Sequence, residues 1–258
     1  DTAEVTRNRD VYEYIDYADG SDKFVPLEDV NPFDNITWTY SGLSGDAYFH
    51  GTNSNPYQYG IDNVVATPKS GLSNGDKVTI SITHNKDTAA RYGYRLTETK
   101  KEIIVEGLDE YVSDLSTLDS SYLEKMQKYA IDNLSDKDSL SWSDFEFDCT
   151  DWEYLGWITL VKKNAYSGAV YLVYKSDITY QNVTTTVYTP VLFKNVIVSA
   201  NGDVRADWNC TVNQSGSSTR VGTKDSYKSV YGFNSYELLK DTLIQNSKAD
   251  YYVNYSLE

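Results

Sequence analysis

Lys77-Val78-Thr79-Ile80-Ser81-Ile82 alternates polar and apolar residues with a period of two, and the same alternation recurs in short stretches along the first half of the chain. Successive side chains of a strand point to opposite faces, so such a stretch buries one face and wets the other. Residues 35–40 place Ile36, Trp38 and Tyr40 on one face. Residues 46–50, 64–67, 92–97 and 102–105 continue the series up to Gly107, with Gly-, Asn- and Ser-rich turns between them. Many short strands without a helical period predict an all-β sandwich of the immunoglobulin-like kind over 30–112. Residues 1–29 hold the alternating run Tyr12-Glu13-Tyr14-Ile15-Asp16-Tyr17 and the turn cluster Asp19-Gly20-Ser21-Asp22, and read as a leading strand or stalk.

Beyond Gly107 the period changes. Leu123, Met126, Ala130 and Leu134 fall at helical spacing, and Ser121 with Glu124 has the form of a capping box, so 121–134 is expected to be an amphipathic helix. Longer strands follow at about 142–149, 153–163, 169–180 and 184–199, and Asn201-Gly202 signals a type I′ hairpin into 203–212. In 153–163, alternation sets Leu155, Trp157 and Val161 on one face and Tyr154, Ile158 and Leu160 on the other. Apolar residues on both faces require cover by helix on one side and by more protein or a partner on the other. A second helix starting at Asn234 and Glu237 carries Tyr236, Leu239, Leu243 and Ile244 along one stripe, and 250–257 is a final strand. Residues 113–258 thus predict an α+β module of the cystatin-like or NTF2-like kind, the second of two domains.

Composition narrows the chemistry. Among 258 residues there are 24 Tyr but only 2 His, 2 Cys and 1 Met, and the net charge is -15. Nucleic acid is bound by Lys/Arg patches, so a chain this acidic is not expected to take it as a partner, nor an anionic membrane surface. No metal or cofactor is expected, because Cys149 and Cys210 lie far apart with no His beside either. In an exported protein two such cysteines form one disulfide by default, with two buried thiols as the alternative. Phe145, Phe147 and Cys149 share one face of their strand, as do Trp208, Cys210 and Val212, so a Cys149–Cys210 bridge is expected if those strands are neighbours. No run of about 18 apolar residues occurs that could span a bilayer. An exported chain of this kind is therefore expected to carry its targeting or anchoring segment upstream of Asp1.

Gly71-Leu72-Ser73-Asn74-Gly75 matches the nucleophile elbow Gly-x-Ser-x-Gly, but it runs into the strand-like 77–82 where that elbow needs a helix. It reads as a turn, like Ser41-Gly42-Leu43-Ser44-Gly45-Asp46 before it. Glu146, Asp148, Asp151 and Glu153 offer carboxylates for an exported hydrolase, Asp148 and Asp151 above all, although their alternation with Phe145 and Phe147 turns Glu146 and Asp148 to water. The acidic loops 19–22 and 136–138 lack the spacing of a calcium loop. Trp152, Tyr154 and Trp157 cluster in sequence, and aromatic faces bind sugars and peptides at low entropic cost, which makes them candidate ligand-binding residues. Core packing explains Trp157 equally well.

Three stretches carry a family resemblance: Val25-Pro26-Leu27-Glu28-Asp29-Val30-Asn31-Pro32-Phe33, Gly71-Leu72-Ser73-Asn74-Gly75-Asp76-Lys77-Val78, and Thr97-Glu98-Thr99-Lys100-Lys101-Glu102-Ile103-Ile104-Val105-Glu106-Gly107-Leu108. Together they resemble the extracellular modules of TcaA-like zinc-ribbon, single-span membrane proteins of Gram-positive Firmicutes. The resemblance covers most of residues 25–112 and, more loosely, 232–255. It implies an outer module of β-rich and NTF2-like parts, anchored at the cell membrane or surface, with no catalytic residues to transfer. The expectation is a non-enzymatic ectodomain that binds or spaces a cell-envelope polymer or surface protein. A carbohydrate-binding module and an exported hydrolase using surface carboxylates are the alternatives.

Overall fold

The computed structural model describes residues 12–15, 23–141, 146–163, 167–212 and 217–258. The chain divides into two compact units, Asp1–Leu108 and Asp109–Glu258. Each contains antiparallel sheets and helix, in different arrangements.

In the first unit β1 (Tyr12–Ile15) pairs antiparallel with β2 (Lys23–Pro26). The acidic turn 19–22 between them lies outside the described residues. β3 (Glu28–Val30) precedes a 3-10 turn, and β4 (Ile36–Ser41), β5 (Ala47–Asn53), β6 (Ile61–Thr67), β7 (Ser70–Leu72) and β8 (Lys77–His84) follow. A short helix α1 (Lys86–Arg91) leads to β9 (Tyr94–Leu96) and β10 (Lys100–Ile104). Two three-stranded antiparallel sheets result, ordered β4-β5-β7 and β10-β8-β6. The period of two in β8 is realised in full: Val78, Ile80 and Ile82 are buried and meet Ile36, Ala47, Phe49, Leu72 and Ile103 in one core. Two elements interrupt this plain sheet-on-sheet packing. β3 and β9 pair in parallel, and α1 stands where the sequence shows no helical period. Asn85 starts α1 by accepting the Thr88 N–H at 3.0 Å, which satisfies one of the donors that a helix start leaves open.

The elbow-like motif is a turn. Ser73 N–H donates to the Asp76 carboxylate at 2.7 Å, and the chain passes directly into β8. Asn74 N–H donates to Ser44 Oγ at 3.1 Å, so the two Gly/Ser turns of similar sequence dock on one another.

The second unit is built on β13 (Glu153–Lys162), β14 (Gly168–Tyr180) and β15 (Val183–Lys194). Ahead of them come β11 (Glu110–Tyr111), helix α2 (Ser120–Ser135), a turn of helix α3 (Lys137–Leu140) and β12 (Asp148–Cys149). Residues 142–145, the start of the expected strand over 142–149, lie outside the described residues. After β15 come β16 (Ile197–Val198), β17 (Val204–Arg205), β18 (Thr211–Val212), β19 (Ser218–Gly222), β20 (Tyr227–Tyr231), helix α4 (Tyr236–Lys240) and β21 (Tyr251–Leu257). The main sheet runs β18-β15-β14-β13-β21, with β12 also on β14. Met126, Ala130 and Leu134 of α2 cover one face, against Trp157, Leu172 and Tyr174. Leu239 of α4, with Leu243 and Ile244 in the π-helical turn after it, covers the other, against Leu155, Ile158 and Val173. Both faces are therefore closed by the unit's own helices.

Three local expectations are corrected. Asp119, not Ser121, caps α2: its carboxylate accepts the Ser121 N–H at 2.9 Å, and the helix starts one residue earlier than the capping-box reading places it. Ser235, not Asn234, caps α4 through the Leu238 N–H. Asn201-Gly202 is not a type I′ turn. Gly202 alone has positive φ (88°), and its N–H bonds Ser199 O at 2.8 Å, which is a type I turn closed by a left-handed glycine.

The face assignment in β13 is corrected too. Register shifts between Tyr154 and Gly156, leaving Leu155 as an extra residue in the pairing with β14. From Trp157 onward the parity is inverted, so Leu155 shares a core with Ile158 and Leu160, while Tyr154 shares one with Trp157. Glycine is obligatory at 156: φ is +132°, and a Cβ there would lie 1.9 Å from Ser256 O on β21.

Candidate functional site

Of the aromatics singled out in the sequence, Trp157 is core, only 6% exposed. Tyr154 is half-buried beneath α2, its ring 5.5 Å from that of Tyr174. Burial, opposed by the nearby Gln127 side chain, pushes the Tyr154 hydroxyl up to about 12, and burial raises Tyr174 as well. Trp152 is half-buried as well, packed against the same core, and lines a groove of about 400 Å³ with Ile131, Leu134, Leu140, Phe147 and Asp151 among others. The bulge thus places Tyr154 and Trp157 on one face, but it puts both under the helix and not beside Trp152 in an open platform. Glu146, Asp148, Asp151 and Glu153 are all exposed, and Glu153 pairs with Lys175 at 2.9 Å.

The expected Cys149–Cys210 disulfide does not form. Cys149 is exposed, with Sγ 3.0 Å from Ser176 Oγ, while Cys210 is buried and donates to Tyr129 O at 3.3 Å. Strand order is the reason. Cys149 stands opposite Ile178 of β14, whereas Cys210 adjoins the Thr211–Leu192 pair and falls level with Phe193, which faces Val170 of β14. From β12 through β14 and β15 to β18 is three strand spacings, about 14 Å, and Val170 to Ile178 adds roughly 27 Å along the strand. A separation on the order of 30 Å is several times the Cα distance a bridge tolerates.

The first unit carries a more open arrangement. Tyr57-Gln58-Tyr59 forms a 3-10 turn ending at Gly60, and Tyr92-Gly93-Tyr94 follows α1. Gly60 has φ +63°, and its carbonyl accepts the Asn85 N–H at 2.7 Å. A Cβ at Gly60 would sit 2.5 Å from Asn85 O, so only glycine lets the two segments approach this closely. The approach brings four tyrosines together in two edge-to-face pairs, Tyr57 with Tyr92 (ring centroids 6.4 Å apart) and Tyr59 with Tyr94 (4.9 Å). Tyr57 is 79% exposed and Tyr92 53%.

Tyr94 also lines a cavity of about 380 Å³ between α1, β9 and the end of β8. Its polar lining includes His84, Lys86, Arg95, Thr97 and Thr99, with no carboxylate among the described lining residues. Arg95 reaches Asp29 of β3 at 2.8 Å, a contact created by the parallel β3–β9 pair, and this hydrogen bond holds the Asp29 carboxyl below its usual range. Burial, followed by the charge of Lys86, lowers His84, which keeps its ring neutral near pH 7 with one donor and one acceptor. The sequence marked none of these residues as a candidate site, and His84 read there as a lone strand-end histidine. The signal present was the repeated Tyr-x-Tyr beside glycine, at 57–60 and again at 92–94.

Among the described residues, no group of three or more His, Cys, Asp or Glu is placed to hold a metal ion. No helix among them is long and apolar enough to cross a membrane. No family model, curated protein or solved structure matches the chain.

Proposed function

We propose that this chain is the non-enzymatic outer part of a bacterial cell-surface protein, tethered to the envelope through a segment upstream, and that it binds an envelope polysaccharide. The resemblance to TcaA-like ectodomains supports the location, and supports reading the first unit as immunoglobulin-like and the second as cystatin-like or NTF2-like. The observation that carries the binding reading is the tyrosine cluster at 57–59 and 92–94, its two outer rings exposed beside a cavity of ligand size. Tyrosine rings present rigid apolar area with a polar tip, which suits the mixed faces of a pyranose. Many described carboxylates serve the fold as caps, turn acceptors and ion-pair partners: Asp114, Asp119 and Asp136 cap helices, Asp76 closes a turn, and Asp29 holds Arg95.

The test is co-sedimentation of the purified chain with isolated Gram-positive cell wall, comparing the native protein with a Tyr57→Ala/Tyr92→Ala double variant. Both side chains are exposed, so the variant is expected to fold normally and lose most of its retention. Equal retention of both proteins would remove the tyrosine cluster from the function.

A further inference from the structure

We infer that the cavity between α1 and β9 is selective for an acidic saccharide, a sugar ring bearing a carboxylate or phosphate. This rests on the binding reading above and names its ligand class. The chain carries 38 Asp and Glu against 23 Lys and Arg. Among the described residues this cavity's lining includes Lys86, Arg95 and His84 and no carboxylate, with Asp29 on Arg95 and the charge of Asp62 acting on His84 from just outside it. A cation on the wall of a concave site focuses an attractive field there, because low-dielectric walls concentrate it.

Each side chain has a definable part in that recognition. Lys86, exposed at the first turn of α1, supplies a point charge. Arg95 is held in place by Asp29, whose Oδ1 accepts from both Nε and Nη2 and so fixes the guanidinium. Part of its charge is neutralised by that pairing, which leaves Lys86 as the larger source of anion preference. The His84 ring and the Thr97 and Thr99 hydroxyls offer donors and acceptors for ring hydroxyls. Tyr94, stacked edge-on against Tyr59, forms the apolar wall on which a sugar ring can lie and leads out to the exposed Tyr57 and Tyr92. The arrangement therefore separates two roles: tyrosines grip the ring, and the cations choose among rings.

Isothermal calorimetry on the full chain tests this with three probes: tetragalacturonic acid, mannose 6-phosphate and maltotetraose. At least one acidic probe is expected to bind tenfold or more tighter than the neutral one, and which of the two does so separates carboxylate from phosphate recognition. Lys86→Gln, a surface change that removes the charge and keeps a polar side chain one atom shorter, is expected to cut acidic binding at least fivefold and leave maltotetraose unchanged. Circular dichroism of the variant confirms its fold. Equal binding of all three probes would overturn the acidic selectivity while leaving the tyrosine-platform reading intact. An undiminished acidic preference in Lys86→Gln would overturn the assignment to this cavity, and absence of binding by every probe would count against both.

Discussion

Gly156→Ala is the single substitution that most directly examines how the second unit is assembled. Two costs combine there. A φ of +132° is a region that L-residues enter at about 1–3 kcal/mol. The added methyl would also stand 1.9 Å from Ser256 O and 2.9 Å from Ser256 C, both backbone atoms of β21, so no rotamer change relieves it. Forcing the strands apart adds an overpacking cost of about 1–3 kcal/mol. The sum, about 2–6 kcal/mol, is a large share of the roughly 5–15 kcal/mol that holds a domain folded. With a urea slope of about 2 kcal/mol/M, the midpoint should fall by about 1–3 M. Tryptophan fluorescence is the assay, since Trp142, Trp152, Trp157 and Trp208 all lie in Asp109–Glu258 and only Trp38 lies outside it. Gly202→Ala is the control. Its φ is also positive (88°) but its Cβ would meet nothing within 4 Å, so only the backbone cost of about 1–2 kcal/mol applies. Hydrogen exchange should accelerate at residues 251–257 in Gly156→Ala and not in the control. If the two variants lose the same stability, the close approach of β13 to β21 at the bulge is wrong.

Other outcomes follow from the same geometry. Both thiols should be alkylated in the denatured, unreduced protein, and in the native protein Cys149 should react well before Cys210, which is buried and whose thiol burial pushes up; a mass showing a bridge would contradict the strand order. Spectrophotometric titration should show Tyr154 and Tyr174 ionising after the exposed tyrosines. The unfolded chain releases those protons near pH 10 while the fold retains Tyr154's to about 12, so this contribution to stability is whole below pH 10 and fades as pH rises through that window. Ser235→Ala should cost about 1 kcal/mol through the lost cap of α4, whereas Asn234→Ala should cost much less; the reverse order would restore Asn234 as the cap.

What the sequence made legible was periodicity. Lys77 to Ile82 is a strand with Val78, Ile80 and Ile82 inward because nothing interrupts the alternation, and 121–134 is helical because four apolar residues keep a helical spacing. The same alternation misassigned Leu155 because one extra residue at the bulge inverts every face beyond it, and only a glycine marks the place. α1 spans six residues, too few for a helical stripe to show. The cysteine pairing failed for a different reason: each residue's face can be read locally, but a bridge depends on which strands are neighbours, and β14 and β15 both stand between β12 and β18. The tyrosine cluster was hidden in the same way. Tyr57 and Tyr92 are 35 residues apart and meet only because Gly60 lets its segment close on Asn85.

The most direct measurement is a chemical-shift map of the isotope-labelled full chain, titrated with solubilised cell-wall polysaccharide. The account expects perturbed amides to cluster at residues 57–60, 84–86 and 92–97, around the tyrosines and the Lys86 cavity. A footprint centred on Trp152 and the groove beside α2, or no localised footprint at all, would contradict it.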